Sequence, residues 1–282
     1  MIVSRHPQHP VGDAAPECGI AAHASFAARL TGIASLRDGP FPPGAAPLPA
    51  RFLRHADEQT VVGMHAVLRA IAALPGPIDL SDDAVVAASC QAGRLMAAKS
   101  LAQLKTGGAV TVSTHIVPQA SLHSLAGAVS VALGMHGPHV GVGGGDGALA
   151  EGLMTAVTLA RSSGAPRVWL VATAWDDEPP LDATGAATAD PLCRAVALAV
   201  ESTGSAGLSL GIHFPPTSAA PAVADGRLAA FAHALDMCGS GGALVAWTLA
   251  CPQGVEVRIT RRRMGKRPGI EPAAAMPLRE AA

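Results

Sequence analysis

The sequence predicts an α/β domain, in which helices pack on a central sheet. Strand-type and helix-type segments alternate across Asp83–Phe214, which is the pattern of such a domain. The segments "DAVVAASC", beginning at Asp83, and "RVWLVATAWDD", beginning at Arg167, are apolar runs of strand length. In Arg54–Leu74, by contrast, apolar residues recur every three or four positions, which predicts a helix. These observations together define the fold class.

The other elements follow in chain order. Gly19–Leu36 predicts a strand and a short helix, and a proline-rich connector then leads to the helix over Arg54–Leu74. After "DAVVAASC", a glycine leads into a helix that reaches about Leu104. The remaining predicted elements are a helix over Ser121–Leu133, a strand over His139–Val142, a helix up to Arg161, the strands "RVWLVATAWDD", "CRAVALAVES" and "AGLSLGIHF", a link over Pro215–Asp225, a helix over Arg227–Met237, and a hairpin of "GGALVAWTLA" and "VEVRITR" that turns near Pro252–Gly254.

Composition and charge argue against several classes of protein. The 282-residue chain has a net charge of −1, so it lacks the positive electrostatic field that attracts nucleic acids. Only 3% of its residues are aromatic, so it also lacks side chains on which bases could stack. Its five cysteines form no CxxC pair, which indicates a reducing compartment. The N-terminus has no signal-peptide core, and no apolar run approaches the roughly 20 residues that span a bilayer. We expect a cytoplasmic protein without membrane insertion, nucleic-acid partner, metal or cofactor.

A glycine-rich elbow, "GPHVGVGGGDGALAEGLMTA" over Gly137–Ala156, is the candidate functional motif. A short strand meets several glycines and an aspartate, and an apolar segment with helical spacing follows. At such an elbow, backbone N–H groups and a helix N-terminus usually face a negative group. Nucleotide-binding folds, methyltransferases and acyl-transferring enzymes all use this arrangement.

Two of these classes fit the surrounding residues poorly. Gly143–Ala148 matches the dinucleotide pattern G-x-G-x-x-[G/A], but Asp176 follows Gly143 by over thirty positions. A ribose-binding acid is expected after about twenty. The stretch "VGVGGGDGALAEGL" looks like the first motif of S-adenosylmethionine-dependent methyltransferases, yet that family has an acid where this chain has Gly141. The methyltransferase is kept as an alternative.

An ordered series of residues resembles the N-terminal half of β-ketoacyl synthases, which have the thiolase fold. In that family, a "P…S-V-H-N…A-G" segment leads into a helix ending in "A-x-G-x-x-G-P", and a strand, the nucleophile elbow and a buried helix follow. The resemblance covers roughly Arg51–His213. It implies an α/β, thiolase-like fold with a truncated second half, because the family's duplicated chain exceeds ~400 residues. The matching residues are Pro118, Ser121, His123, Ala126, Gly127, Gly134, Gly137 and Pro138.

The same resemblance implies that the nucleophile is absent. The family's catalytic cysteine stands nine positions after the glycine of "GP", and counting from Gly137 reaches Asp146. A carboxylate is a poor acyl carrier, because its acylation would give a mixed anhydride and not a thioester. We therefore assign no catalytic residue and expect Asp146 to cap the following helix. The elbow, or oxyanion loop, comprises Gly143, Gly144, Gly145, Asp146 and Gly147.

Other cysteines and histidines do not restore the catalytic pattern. Cys90 ends an apolar strand, which predicts a small buried side chain, and Cys238 is the second alternative thiol. The family's catalytic histidines lie in "H-G-T" and "G-G-H/T-N" contexts, whereas His213 and His233 lack those neighbours. The remaining histidine series does not have zinc-site spacing: His115, His123, His136 and His139.

On this interpretation the chain has four parts. A flexible leader over 1–17 precedes a ketosynthase-like thiolase-fold domain over 18–216. A residual C-terminal helix and hairpin over 217–260 and a basic, low-complexity tail over 261–282 follow. The run "RRRMGKR" in that tail predicts a solvated end. A half-fold leaves an apolar face that must be covered.

The chain is most similar to chain length factors, which are truncated ketosynthase-like proteins of aryl polyene and xanthomonadin-type pigment pathways. The resemblance implies a heterodimer with a full-length ketosynthase, which performs the condensation and through which acyl carrier protein is reached. Two alternatives stay open: the methyltransferase, and a stand-alone acyltransferase or hydrolase with Ser121 or Cys90 as nucleophile. The dimer-interface residues implied by the family are Ser121, His123, Gly127, Gly137 and Pro138.

Overall fold

The computed structural model describes residues 17–43, 47–114, 116–203, 207–215, 227–239, 244–251 and 254–261. The strands of this part are β1 (Glu17–Arg29), β2 (Ala84–Cys90), β3 (His139–Gly144), β4 (Val168–Trp175), β5 (Leu192–Glu201), β6 (Leu208–His213), β7 (Ala246–Cys251) and β8 (Val255–Arg261). The helices are α1 (Leu30–Leu36), α2 (Glu58–Ala72), α3 (Arg94–Gly107), α4 (Ile116–Gln119), α5 (Ser124–Leu133), α6 (Ala148–Ser162) and α7 (Leu228–Gly239), with a 3₁₀ turn over Ala109–Thr111.

The described strands form one sheet in the order β3-β2-β4-β5-β1-β6-β8-β7. β2 pairs in parallel with β3 and with β4, and the other neighbouring pairs are antiparallel. Parallel neighbours need a long crossover, which the segment from α3 to α5 provides between β2 and β3. β3 is therefore an edge strand of the described sheet, and the glycine-rich elbow lies at its carboxyl end.

β2 and β4 are buried on both faces, which explains their almost continuous apolar sequences. Their side chains alternate between two hydrophobic cores: Val86 and Leu170 face one, whereas Val85 and Trp169 face the other. The first core includes α6 and α7, and the second includes α2 and α5. The sheet is thus the middle layer between two layers of helices.

β1 changes from one core to the other at a β-bulge. Its pairing with β5 shifts register between Ile20 and Ala22. Cys18 and Ile20 belong to the α6 core, whereas Ala22 belongs to the α2 core. One extra residue reverses the alternation of a strand and bends it. On the N-terminal side of the bulge, β1 pairs with β6. β6, β7 and β8 all contact α6, which also contacts β2, β3 and β4.

The predicted helices and strands are present, with some ends shifted. The helix predicted over Arg54–Leu74 begins only at Glu58, because Asp57 is its N-cap. The helix predicted from Ser121 begins at Ser124. The α/β arrangement inferred from alternating segments is therefore confirmed.

The ends of the predicted parts are less fully described. Glu17, assigned to the leader, is the first residue of β1. The C-terminal helix and hairpin, α7 with β7 and β8, pack on the same sheet and helix as the rest. Residues 1–16, residues 216–226 and the tail from residue 262 lie outside the described residues. So do all but the first residue of the predicted link Pro215–Asp225, and residues 252–253 of the predicted hairpin turn. The division into four parts stays a prediction.

Candidate functional site

The elbow between β3 and α6 depends on glycine. Gly143 and Gly144 have φ values of 86° and 115°, which residues with a side chain rarely adopt. A Cβ on Gly143 would lie 2.5 Å from the Ala148 Cβ, and one on Gly141 would lie 2.1 Å from the Leu122 carbonyl oxygen. The chain therefore turns sharply from strand to helix where no side chain fits.

Asp146 does not cap α6, which corrects the prediction made from the sequence. The N-cap is Gly147, α6 begins at Ala148, and no described side chain makes a capping hydrogen bond there. A capping side chain belongs to the N-cap residue and accepts from an N–H two or three residues later. Asp146 stands one position too early for this bond, and it is exposed at the elbow.

A cavity of about 600 Å³ opens at the N-terminus of α6. It lies where β2 and β4 end, and the carboxyl ends of parallel strands are the usual ligand position in α/β domains. Carboxylates from the elbow and from the residues after β4 line it, namely Asp146, Asp176, Asp177 and Glu178. The other lining residues are Ala88, Cys90, Gln91, Ala148, Leu149, Ala172, Thr173, Ala174, Trp175, Arg227, Leu228 and Ala229.

Arginines pair with two of these carboxylates. Arg194 Nε and Nη2 donate to the two carboxylate oxygens of Asp176, at 3.0 and 2.7 Å. Arg94, the first residue of α3, forms an ion pair with Glu178. The second pair joins the start of α3 to the rim of the cavity.

The remaining charges do not favour a thiolate in the cavity. Asp146 and Asp177 are exposed, with Arg227 as a further cation of the lining. Burial raises the pKa of the Cys90 thiol, and the Asp146 and Glu178 carboxylates raise it further. A reactive cysteine needs the opposite shift. Cys90 is therefore a neutral thiol at neutral pH.

Cys238 does not offer a better nucleophile. It is buried on α7 and is not among the residues that line the cavity. Burial raises the pKa of its thiol, although the nearby Arg261 lowers it. All five cysteines of the chain are unpaired thiols.

A buried network holds the cavity wall. Gln59 Nε2 donates to the carbonyl oxygens of Cys90 and Gln91 at 2.7 and 3.2 Å, and Gln59 Oε1 accepts from the Thr173 hydroxyl at 2.7 Å. Gln91 has a φ of 59°, which is uncommon for a residue with a side chain. Asp57 Oδ2 accepts from the Gly93 N–H at 3.2 Å. The N-terminal end of α2 thereby fixes the turn that follows β2.

The residues of this network were not identified from the sequence. Asp57 carried a signal, because an aspartate just before a helical repeat is a typical N-cap. Gln59 and Thr173 carried none, since they are 114 positions apart and meet only in the folded chain.

The predicted interface residues of the α5 region lie together beside β3. The rings of His123 and His139 are 5.0 Å apart. A Cβ on Gly127 would lie 3.7 Å from the His123 ring. The Ser121 hydroxyl is 3.2 Å from that of Ser124, so both serines are engaged at the start of α5. Their role in an interface stays a prediction.

Gly137 and Pro138 lead into β3 and have structural roles. A Cβ on Gly137 would lie 2.5 Å from the Asp83 carbonyl oxygen. The Pro138 carbonyl oxygen accepts from the Val85 N–H at 2.9 Å. These contacts seat the start of β3 against β2, and participation in an interface stays a prediction here too.

Neither a metal cluster nor a membrane-spanning helix is present in the described part of the chain. Within the described ranges, no group of three or more histidine, cysteine, aspartate or glutamate side chains could hold a metal ion. His115, of the predicted histidine series, lies outside those ranges. No helix in the described portion is long and apolar enough to cross a bilayer.

Comparison with known proteins gives matches in structure alone. No protein-family model and no curated protein matches the chain. A chain from the ketosynthase ApeO in complex with its chain length factor ApeC, from Xenorhabdus doucetiae, is 16% identical with a TM-score of 0.55, covering 86% of this chain and 99% of that one. The ishigamide ketosynthase/chain length factor is 16% identical with a TM-score of 0.47, covering 70% of this chain and 67% of that one.

A third solved structure is a type II polyketide synthase acyl carrier protein in complex with its ketosynthase. It is 14% identical with a TM-score of 0.48, covering 72% of this chain and 70% of that one. The first of the three matches establishes the fold: this chain has the thiolase-like fold of ketosynthases, and the predicted fold class is confirmed. Because nearly all of that first chain is covered, it is similar in length to this one.

Proposed function

We propose that this chain is a catalytically silent, ketosynthase-like subunit of the chain length factor type, which pairs with an active ketosynthase in fatty acid or polyketide chain elongation. One observation carries the proposal. Asp146 occupies the elbow between β3 and the buried helix α6, where a ketosynthase needs a nucleophilic cysteine. The similarity in fold to a chain of a ketosynthase–chain length factor complex supports it.

The chemistry of the cavity is unfavourable for condensation. An acylated Asp146 would be a mixed anhydride, which cannot store an acyl group as a thioester does. Cys90 stays protonated beside Asp146 and Glu178. No histidine is among the described residues that line the cavity, so none of the described imidazoles is in position to promote decarboxylation. The exposed carboxylates of Asp146 and Asp177, which also line the cavity, would repel the negatively charged malonyl group.

The edge of β3 supports association with a partner. Within the described sheet, β3 pairs with β2 on one side only, and an unpaired edge offers N–H and C=O groups to another strand. Beside it, α5 presents the small residue Gly127 and the exposed Val131. A ketosynthase edge strand would continue the sheet here, with Ser121, His123, Gly127, Gly137 and Pro138 at or near the contact.

The proposal divides the work between the two subunits. The ketosynthase would supply the thiolate and the histidines and would receive the acyl carrier protein. This chain would shape the chamber that limits the length of the acyl product, in a pathway of the aryl polyene type. Five unpaired thiols agree with a cytoplasmic location for both subunits.

Intact-mass spectrometry tests the catalytic silence. The purified chain is incubated with acyl and malonyl carrier-protein thioesters, with the co-expressed ketosynthase as positive control. We expect acyl mass on the ketosynthase and none on this chain. A Cys90→Ala variant run in parallel separates adducts on that thiol from adducts on Asp146. An acyl adduct at either residue of the wild-type chain would contradict the proposal.

Co-expression tests the pairing. We expect a stable one-to-one complex with a full-length ketosynthase of an acyl carrier protein pathway. Recovery of two separate proteins would count against the partnership. A thermal-shift assay with S-adenosylmethionine tests the alternative methyltransferase, for which we expect no stabilisation.

A further inference from the structure

The segment around the β3 edge contains no carboxylate. No aspartate or glutamate occurs between Asp83 and Asp146, although the chain has 21 acidic residues. This stretch supplies α3, the 3₁₀ turn, α4, α5 and β3. Its charged side chains are Arg94, Lys99 and Lys105, which are all cations, together with several histidines.

α3, the 3₁₀ turn and α4, residues 94–114 and 116–119, form an excursion between β2 and α5. A Cβ on Gly93 would lie 2.5 Å from the Ala120 Cα, so the chain before α3 touches the chain after α4. Leu122, two residues later, lies with its carbonyl group against Gly141 of β3. The Pro118 carbonyl oxygen of α4 also accepts from the Ser124 hydroxyl of α5 at 2.7 Å. The two ends of the excursion therefore meet close to the edge strand and to the start of α5.

The excursion is exposed and partly apolar. α3 buries none of its residues, and the exposed fractions of Leu101, Val110 and Val117 are 65%, 95% and 73%. Lys99 and Lys105 are exposed on the same helix. Neither ammonium group forms an ion pair with another described residue. Apolar side chains with unneutralised cations between them are suited to a partner surface that is both apolar and acidic.

Carboxylates of neighbouring elements are already engaged. Glu178 pairs with Arg94 at the start of α3. The loop that packs on α3 through Gly185 contains Asp182, whose carboxylate accepts hydrogen bonds within its own turn. These groups therefore leave the two lysines of α3 without a compensating charge.

We infer that the acid-free face, meaning residues 94–114 and 116–119, the exposed side of α5 and the edge of β3, selects a ketosynthase partner that presents carboxylates to Lys99 and Lys105 and disfavours a second copy of this chain. The inference rests on the proposed function. In a two-fold symmetric dimer, both subunits contribute the same surface patch to the interface. Two copies would thus bring cations together with no carboxylate between them, which opposes association, whereas an acidic partner is attracted.

A charge-swap experiment on the full chain tests this inference. A tagged Lys99→Glu/Lys105→Glu variant is mixed with untagged wild type, and association is measured by sedimentation at low and high salt. At low salt we expect the mixed pair to associate about tenfold more tightly than wild type with itself, and the advantage to shrink as salt screens the charges. Binding of the variant to the ketosynthase should weaken by a similar factor.

A charge reversal outside the acid-free face is the control for this experiment. Arg54→Glu reverses an exposed cation in the loop before α2, outside this face, and should change neither association. A mixed pair no tighter than the wild-type self-pair, or an advantage unaffected by salt, overturns the inference. If no ketosynthase complex forms but the mixed pair still does, the proposed function fails and the charge selection of this face stands.

Discussion

Helices α2 and α6 are equally long and lie on opposite faces of the sheet, but their N-termini differ. Each has 15 residues. Asp57 caps α2 by accepting from the Thr60 N–H at 3.0 Å, whereas α6 follows Gly147 without a side-chain cap and opens into the cavity. α2 also buries polar side chains, while the buried residues of α6 are apolar or glycine. The N-terminus of α2 is thus closed by a cap, whereas that of α6 is open to the cavity.

The largest expected effect concerns the glycine within each helix. A Cβ on Gly152 of α6 would lie 2.4 Å from the Ala88 Cβ of β2, which can move only with the backbone. A Cβ on Gly63 of α2 would meet the tips of Leu125 at 2.8 and 2.9 Å, which can rotate away. We expect Gly152→Ala to lower the free energy of unfolding by about 3 kcal/mol.

Gly63→Ala is the matched control for that substitution. We expect it to change the free energy of unfolding by less than about 1 kcal/mol, because higher helix propensity offsets the repacking of Leu125. Urea denaturation followed by circular dichroism measures both variants. Equal losses would show that α6 is no more tightly packed on the sheet than α2.

The second effect compares the aspartates at the two helix starts. Asp57→Ala removes the cap and leaves the N–H groups of Thr60 and Gly93 without this acceptor. We expect a loss of about 2 kcal/mol in unfolding free energy. Asp146→Ala should change stability by less than about 0.5 kcal/mol, since its exposed side chain caps nothing. A large loss for Asp146→Ala would mean that its carboxylate supports α6 after all.

The third effect is a pH dependence at the α2 face. His65 stacks on Phe26 and Phe41, and its Nε2 is 3.0 Å from the Leu36 carbonyl oxygen. Burial lowers the pKa of His65 below its ordinary 6.5. The unfolded chain therefore binds a proton first as the pH falls, and stability is lost below pH 6.5 until the folded-state pKa is reached.

A His65→Gln variant isolates this contribution, because glutamine does not titrate. We expect the stability of the wild type to fall relative to the variant by up to about 1.4 kcal/mol per pH unit in that window. Thermal denaturation of both proteins at a series of pH values above and below 6.5 measures this difference in stability. Parallel curves for the two proteins would show that the buried ring is not the titrating group.

The smallest effect is on thiol reactivity at the open end of α6. Because the Asp146 carboxylate raises the pKa of Cys90, Asp146→Asn should speed alkylation of Cys90 by iodoacetamide about two- to threefold. Peptide mass mapping measures the rate at this residue. Asp177→Asn also removes a carboxylate of the cavity lining, but Asp177 does not influence the pKa of Cys90 and its variant should leave the rate unchanged.

Much of the fold was predictable because it depends on short-range patterns. Continuous apolar runs located β2 and β4, because both faces of these strands are buried. Helical repeats located α2 and α6, because burial of one helix face imposes that period on a sequence. The glycine-rich elbow was equally visible, and its strand-to-helix turn is confirmed. The capping role of Asp146 was wrong by one position, because a cap depends on where the first helical turn begins and composition does not specify that residue.

The rest required residues that are distant in sequence to meet. The order of residues alone places a carboxylate at the elbow and keeps acids out of the stretch between Asp83 and Asp146. Folding places residues 176–178 in the same cavity as Asp146 and joins Gln59 to Thr173 by a hydrogen bond. It also bends β1, so that β6, β7 and β8 cover α6. Electrostatic and packing energies depend on distance in space, so the charge of the cavity and the shape of its wall emerge only when the sheet has assembled.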